Sequence, residues 1–247
     1  MKLLRSFMFI SMLGALAACD QYAFTTYPFP PNYATTQEVP PTSIPIPPAK
    51  YSKKHWEDTN EIIEKQKHIT EADRKAITDE IDVKPEIIVE KTFGKDFNRT
   101  NLSKTYLLLF KVGSDSWRIG DYAKEFWNTD RPWENSKEVQ LLVPPIYSPA
   151  YPSGHTTSSF VWAEVLAQLA PCQRANVYAT AQAVAEHRKL AGAHYAHDLE
   201  GGKLLASKIV AVVTTKPEYQ KDFAEAQAEL RNFVVSRTGK TCCFNNR

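Results

Sequence analysis

Four of the six histidines (His155, His187, His194, His197) fall between residues 155 and 197, among groups suited to holding phosphate and moving protons. Three clusters carry this chemistry: Lys124-x6-Arg131-Pro132, Pro152-Ser153-Gly154-His155, and Arg188-x5-His194-x3-Asp198. A phosphoryl group in transit spreads negative charge over its equatorial oxygens, so fixed cations stabilise it. Arg131 offers a bidentate fork, Lys124 a point charge, and Pro132 locks the backbone just after the arginine.

The second cluster opens a helix. Tyr151-Pro152-Ser153-Gly154-His155 leads into the apolar-periodic run Thr156–Ala170, so Ser153 is the expected cap. The amides at such a terminus are unpaired and its dipole is positive, while Gly154 admits an anion close to the backbone. His155 then stands in the first turn. In the third cluster, His194 and Asp198 are four apart, which on a helix starting near His194 puts the carboxylate beside one imidazole nitrogen. The other nitrogen is left as a nucleophile, with the carboxylate stabilising the ring when it becomes cationic. Arg188 precedes His194 by six, out of register on one continuous helix, and Gly192 marks a break that could bring both to one pocket.

Taken singly, each cluster has a plain structural explanation: a solvated Lys/Arg face, a helix cap, an exposed His–Asp pair. Their conjunction decides the matter, with 19 residues between the first and second clusters and 32 between the second and third. His187 and His197 read as pocket wall or surface, and Trp127, Trp133 and Trp162 as core or pocket lining.

The elements that must position these groups are helical. Apolar spacing predicts helices over 51–69 and 70–81, the second with Thr70 and Asp73 as a capping box. Further helices are expected over 102–112, 116–126, 153–170, 172–190, 194–214 and 218–236. No strand alternation or internal repeat is evident, so the expected fold class is all-α, a bundle of roughly six to nine helices.

The first residues, MKLLRSFMFISMLGALAACD, have a cationic start (Lys2, Arg5), an apolar run and small residues before Cys19. Leu16-Ala17-Ala18-Cys19 resembles a bacterial lipobox, so residues 1–18 are expected to be a lipoprotein signal peptide and Cys19 the lipidated N-terminus. Asp20 resembles an inner-membrane retention signal, a rule that varies between bacteria, and either membrane of the envelope is compatible. Residues 19–50 hold eight of the 16 prolines and no glycine, and are expected to form a stiff extended tether before a catalytic domain over 51–247. The formal charge of +2 includes the two cationic residues of the signal, so no nucleic-acid-binding surface is expected. An oxidising compartment permits a disulfide between Cys172 and either Cys242 or Cys243. Adjacent cysteines plus one distant one lack zinc-ligand spacing.

In order and residue type, the three clusters resemble the signature of the type 2 phosphatidic acid phosphatase superfamily. Over 51–231 the chain looks closest to the class A bacterial non-specific acid phosphatases, which are exported and all-α. That resemblance implies an acid phosphatase acting on small phosphate monoesters with no cofactor and no metal, on the periplasmic side of a bacterial envelope, lipid-anchored or released. It implies His194 as nucleophile forming a phosphohistidine, His155 as general acid and base, Asp198 orienting His194, and Lys124, Arg131, Ser153, Gly154 and Arg188 binding phosphate. One position departs: His187 stands where the family carries a serine that helps bind phosphate, which makes it a candidate pocket residue. A lipid phosphatase, a vanadate-dependent haloperoxidase and a non-catalytic envelope lipoprotein are the competing readings; a homo-oligomer is compatible with all.

Overall fold

A computed structural model describes residues 30–238. The expected signal peptide, Cys19 and the cysteines at 242 and 243 lie outside the described residues. Among those described are nine α-helices and no strand, so the fold is all-α. The helices are α1 (Lys53–Gln66), α2 (Glu71–Asp79), α3 (Glu86–Phe93), α4 (Ser103–Trp127), α5 (Pro132–Asn135), α6 (Gly154–Leu169), α7 (Arg174–Leu190), α8 (Ala196–Val213) and α9 (Pro217–Thr238). None of the described helices is long and apolar enough to cross a membrane.

Helix α6 forms the centre. Val161, Trp162, Val165, Leu166 and Leu169 are buried together with Thr156, Thr157 and Ser158, so it is enclosed except along the half-buried stripe of Phe160, Glu164 and Gln168. Helices α4, α7 and α8 pack around it, and α9 lies on α4. Helix α2 begins with the expected capping box, in which Thr70 Oγ1 accepts the Asp73 amide and Asp73 accepts that of Thr70.

Two expectations are corrected. The first concerns 102–126, where Gly113-Ser114-Asp115 suggests a break between two helices; α4 instead runs unbroken through 25 residues. Asp115 caps no helix. Its carboxylate accepts the amides of Asn32, Tyr33 and Ala34 at 2.9, 2.7 and 3.0 Å and pairs with Arg118 at 3.1 Å. The second follows from the first. The proline-rich stretch, expected to stand off as a tether, is bound to the folded body over residues 30–50. An extended segment cannot pair its own amides, so it needs an outside acceptor, which Asp115 supplies. Tyr33, Ala34, Val39 and Ile44 are buried in the main core, and the Tyr33 hydroxyl donates to Asp222 on α9. Cys172 is disulfide-bonded, with its partner outside the described residues.

Candidate active site

The end of α4 and the turn after it position the first cluster. Lys124 lies in the last turn of α4, and Asn128 in a left-handed conformation (φ 45°) ends the helix. Arg131 precedes Pro132, the first residue of the short α5, and its amide donates to Glu134 at 2.7 Å. The Arg131 guanidinium is buried and all five of its N–H groups have acceptors. They go to Ser148 O (2.8 Å), Ser148 Oγ and Pro149 O (3.2 Å each), Ala193 O (2.8 Å) and His194 Nε2 (3.2 Å). Lys124 Nζ donates to Pro149 O at 2.7 Å and Ala150 O at 3.0 Å, which leaves one of its three hydrogens for a ligand.

The second and third clusters are tied together directly. The Ser153 amide donates to Asp198 O at 3.0 Å, and α8 lies so close to Tyr151 that a Cβ on Gly201 would sit 2.3 Å from its ring. Helix α7 ends as the glycine suggested: Gly192 has φ +68°, and a Cβ there would fall 2.3 Å from Gln140 O. The chain turns back so that Arg188 and His194 face one cavity.

His194 is not on a helix. It lies in the turn before α8, which begins at Ala196 with Tyr195 as its cap. The His194–Asp198 contact expected from helical spacing is present, but its geometry comes from the cap: Asp198 Oδ2 accepts the Tyr195 amide at 2.9 Å and faces His194 Nδ1 at 3.2 Å.

The cavity holds about 250 Å³ and is lined by Lys124, Arg131, Gly154, His155, Arg188 and His194, under a rim of Ile81, Trp117 and residues 143–146. Asp198 and Ser153 lie behind it. Ser153 is fully buried, and its Oγ caps α6 by accepting from the Thr156 amide and hydroxyl, which leaves its own O–H as a donor. Trp117 and the 143–146 rim escaped the sequence reading, since an apolar wall has no spacing of its own.

The electrostatics of the cavity favour an anion. Arg188 Nε and Nη1 are buried with no hydrogen-bond partner. Burial, with Arg131 beside it, lowers Lys124 to about 7; burial lowers Arg131 to about 10, and burial together with Arg131 brings Arg188 to about 10. Burial and then Arg131, Lys124 and Arg188 hold His194 well below the ordinary histidine value, and burial and Arg188 do the same to His155. Burial pushes Asp198 up, against the pull of His197, the Tyr195 amide, Lys124 and Arg131. An oxyanion in the cavity would supply the negative charge these groups lack.

His155 Nε2 faces two carbonyls, Glu80 O at 3.0 Å and Ile81 O at 3.2 Å, so it carries a proton and Nδ1 is the nitrogen left to exchange one. His187, expected as a candidate pocket residue, does not line the cavity. Its Nδ1 meets Glu80 Oε2 at 2.8 Å, while Lys91 holds the other oxygen of that buried carboxylate. His187 thus fastens the segment whose carbonyls orient His155. Trp162 is core, Trp127 packs against that core, and Trp133 joins a small cluster around Tyr195.

The all-α body gathers three buried basic side chains and two histidines around one small cavity, an arrangement suited to holding an oxyanion. Its relatives agree with that chemistry. The chain is 30% identical over 124 residues to an acid phosphatase of Zymomonas mobilis, covering 46% of this chain and 45% of that protein. It is 30% identical over 80 residues to a non-specific acid phosphatase of Providencia stuartii (32% of each chain) and 31% over 90 residues to one of Salmonella typhi (36% of each). These matches span less than half the length of the curated relatives. No protein-family model matches the chain.

Proposed function

We propose that the protein is an acid phosphatase that hydrolyses phosphate monoesters through a phosphohistidine on His194, without a metal ion. The observation that carries this reading is the tautomer of His194. Arg131 can only donate, so Nε2 is the acceptor and keeps its lone pair, while Nδ1 holds the proton and donates to Asp198. In the substrate complex the negative charge of the bound phosphate favours the imidazolium, so His155 takes a second proton from solvent at Nδ1. In the first step His194 Nε2 then forms a bond to phosphorus as the ester P–O bond breaks, and His155 Nδ1 gives that proton to the leaving alkoxide. In the second, water adds to phosphorus as the N–P bond breaks, its proton returns to His155, and inorganic phosphate is released. Asp198 stabilises the imidazolium between the steps. Lys124, Arg188 and the amides opening α6 hold the oxygens and the Arg131 guanidinium adds its charge beside them, an arrangement in which side-chain cations supply the charge stabilisation a metal would otherwise give.

The names of the relatives support the same reaction class. The leader ending at Cys19 supports a place in the bacterial envelope, lipid-anchored through that cysteine; Cys19→Ala should move the protein from the membrane to the soluble fraction. The decisive test of the chemistry is His194→Ala in chelator-treated buffer. Loss of turnover on an aryl phosphate is expected in the variant, together with loss of the acid-labile phosphoenzyme that quenched wild-type reactions contain; retained turnover rejects the assignment.

A further inference from the structure

Asp198 has a second oxygen that the mechanism leaves unexplained. Oδ2 serves His194 and the Tyr195 amide, but Oδ1 is fully buried and has no hydrogen bond of good geometry. Its nearest charged or titratable neighbour is His197 Nε2 at 3.4 Å. His197 is itself held on the far side. Its Nδ1 lies 2.5 Å from Asp58 Oδ2 on α1, its amide donates to the same oxygen at 3.3 Å, and its ring stacks on Tyr195 with centroids 5.0 Å apart at 12°. Asp58 is buried, and its other oxygen takes Lys54 Nζ at 2.7 Å.

We propose that His197 is a positioning residue for the phosphatase reaction: clamped by Asp58, it stands as an imidazolium between two carboxylates and keeps Asp198 ionised and aimed at His194. The inference rests on the function proposed above. Its argument is one of donors and acceptors. A carboxylate only accepts, so the ring nitrogen against Asp58 carries a hydrogen. A second carboxylate oxygen faces the other nitrogen, where a lone pair would repel it and a proton attracts it. Protonation of both nitrogens satisfies both contacts, and the cation then offsets the cost of burying Asp198. A row of four groups results, Lys54–Asp58–His197–Asp198, which ends on His194.

The groups around this row are few. Asp198 is faced by His194 and Tyr195 from the turn before α8, by Lys124 from α4 and by Arg131 from the loop after it. His197 is faced by Asp58 and His55 from α1 and by the rings of Tyr195 and Tyr151, and it borders a polar cleft with Lys50 and Asp130 at its edge. Burial would raise Asp58, but the His197 and Lys54 hydrogen bonds prevail and hold it below the ordinary carboxylate range, as an anion bound to two cations should be.

The test compares pH profiles of kcat and kcat/KM on p-nitrophenyl phosphate for the wild type, His197→Gln and Asp58→Asn, with 15N NMR of the histidine rings. Removing the cation raises the Asp198 pKa, so the acid limb of kcat/KM should move up by about one pH unit in His197→Gln and by less in Asp58→Asn. kcat should fall by about 10-fold to 100-fold, with KM changed by no more than about threefold. In the wild type near pH 7, both ring nitrogens of His197 should be protonated. An equal loss of activity at all pH values with the limb unmoved, or a neutral His197 ring, overturns the inference. Should His197→Gln lack a cooperative melt, Asp58→Asn and the wild-type NMR decide. Absence of metal-free turnover in the wild type would count against the proposed function instead, while the NMR still reports on His197.

Discussion

Arg131 Nη1 stands 3.2 Å from His194 Nε2, on the side of the ring opposite Asp198. The histidine is thus gripped at both nitrogens, by a donor that cannot accept and an acceptor that cannot donate. Arg131→Lys keeps the charge but cannot reproduce five N–H bonds in one plane. We expect kcat/KM to drop by about 100-fold or more, with an inverted or mixed His194 tautomer visible in ring 15N shifts. Near-normal kinetics in the lysine variant would contradict this grip.

The buried basic groups of the cavity should cost stability that a bound oxyanion restores. Lys124, His155 and His194 are bases whose folded pKa lies below the unfolded one. Each is cost-free above its unfolded value and costs more as pH falls toward its folded value. The ligand-free protein should therefore lose stability from about pH 10 downward through Lys124, and further below about pH 6.5 through the histidines. Inorganic phosphate at about 100 times its Kd should add about 2.7 kcal/mol, a rise in Tm of about 5 °C or more, and the rise should be larger at pH 5.5 than at pH 8.5. Thermal melts with and without phosphate measure it.

Arg188 gives the complementary case. Two of its buried N–H groups have no partner, so Arg188→Met should raise the Tm of the ligand-free protein while abolishing most of the phosphate-induced rise and lowering kcat/KM by about 100-fold or more. A variant both less stable and still phosphate-responsive would mean that Arg188 has a structural role instead.

His187 should act through Glu80. Burial pulls the Glu80 carboxyl up, but His187 and Lys91 hold it below its unfolded value, so its contribution is present above about pH 4.5 and lost as pH falls through the folded value. His187→Ala should cost about 1–3 kcal/mol at neutral pH and less below pH 4, by denaturant melts. Because Glu80 O orients His155, kcat should fall about threefold or more with KM little changed.

Asp115 should be worth more than an ordinary surface carboxylate. It binds three amides of the segment before α1 as well as Arg118. Asp115→Ala should cost about 3 kcal/mol or more and make residues 30–50 accessible to protease.

What could be seen in advance follows from how local each signal is. Helix α2, α6, α7 and α9 are announced by residues beside them: the Thr70–Asp73 box, Ser153, Pro171 and Pro217. The unbroken course of α4 was not legible because Asp115, at its middle, takes partners some 80 residues away. Helix α3, eight residues long, is too short for periodicity to mark. The cavity-lining cations and histidines were legible by type and order. The carboxylates that support them were not, since Asp58 and His197 are 139 positions apart and Glu80 and His187 are 107 apart. The His194–Asp198 contact was anticipated from a helix face and arises from a helix cap.

The docking of residues 30–50 also sets a leash length. Ten residues lie between Cys19 and Pro30, eleven steps of chain with a reach of about 40 Å at full extension. A copy anchored by lipid at Cys19 would graze only the layer of water next to its membrane. A protease cutting before residue 30 would release the folded body whole, whereas one cutting at residue 50 would release a body stripped of the segment that Asp115 holds.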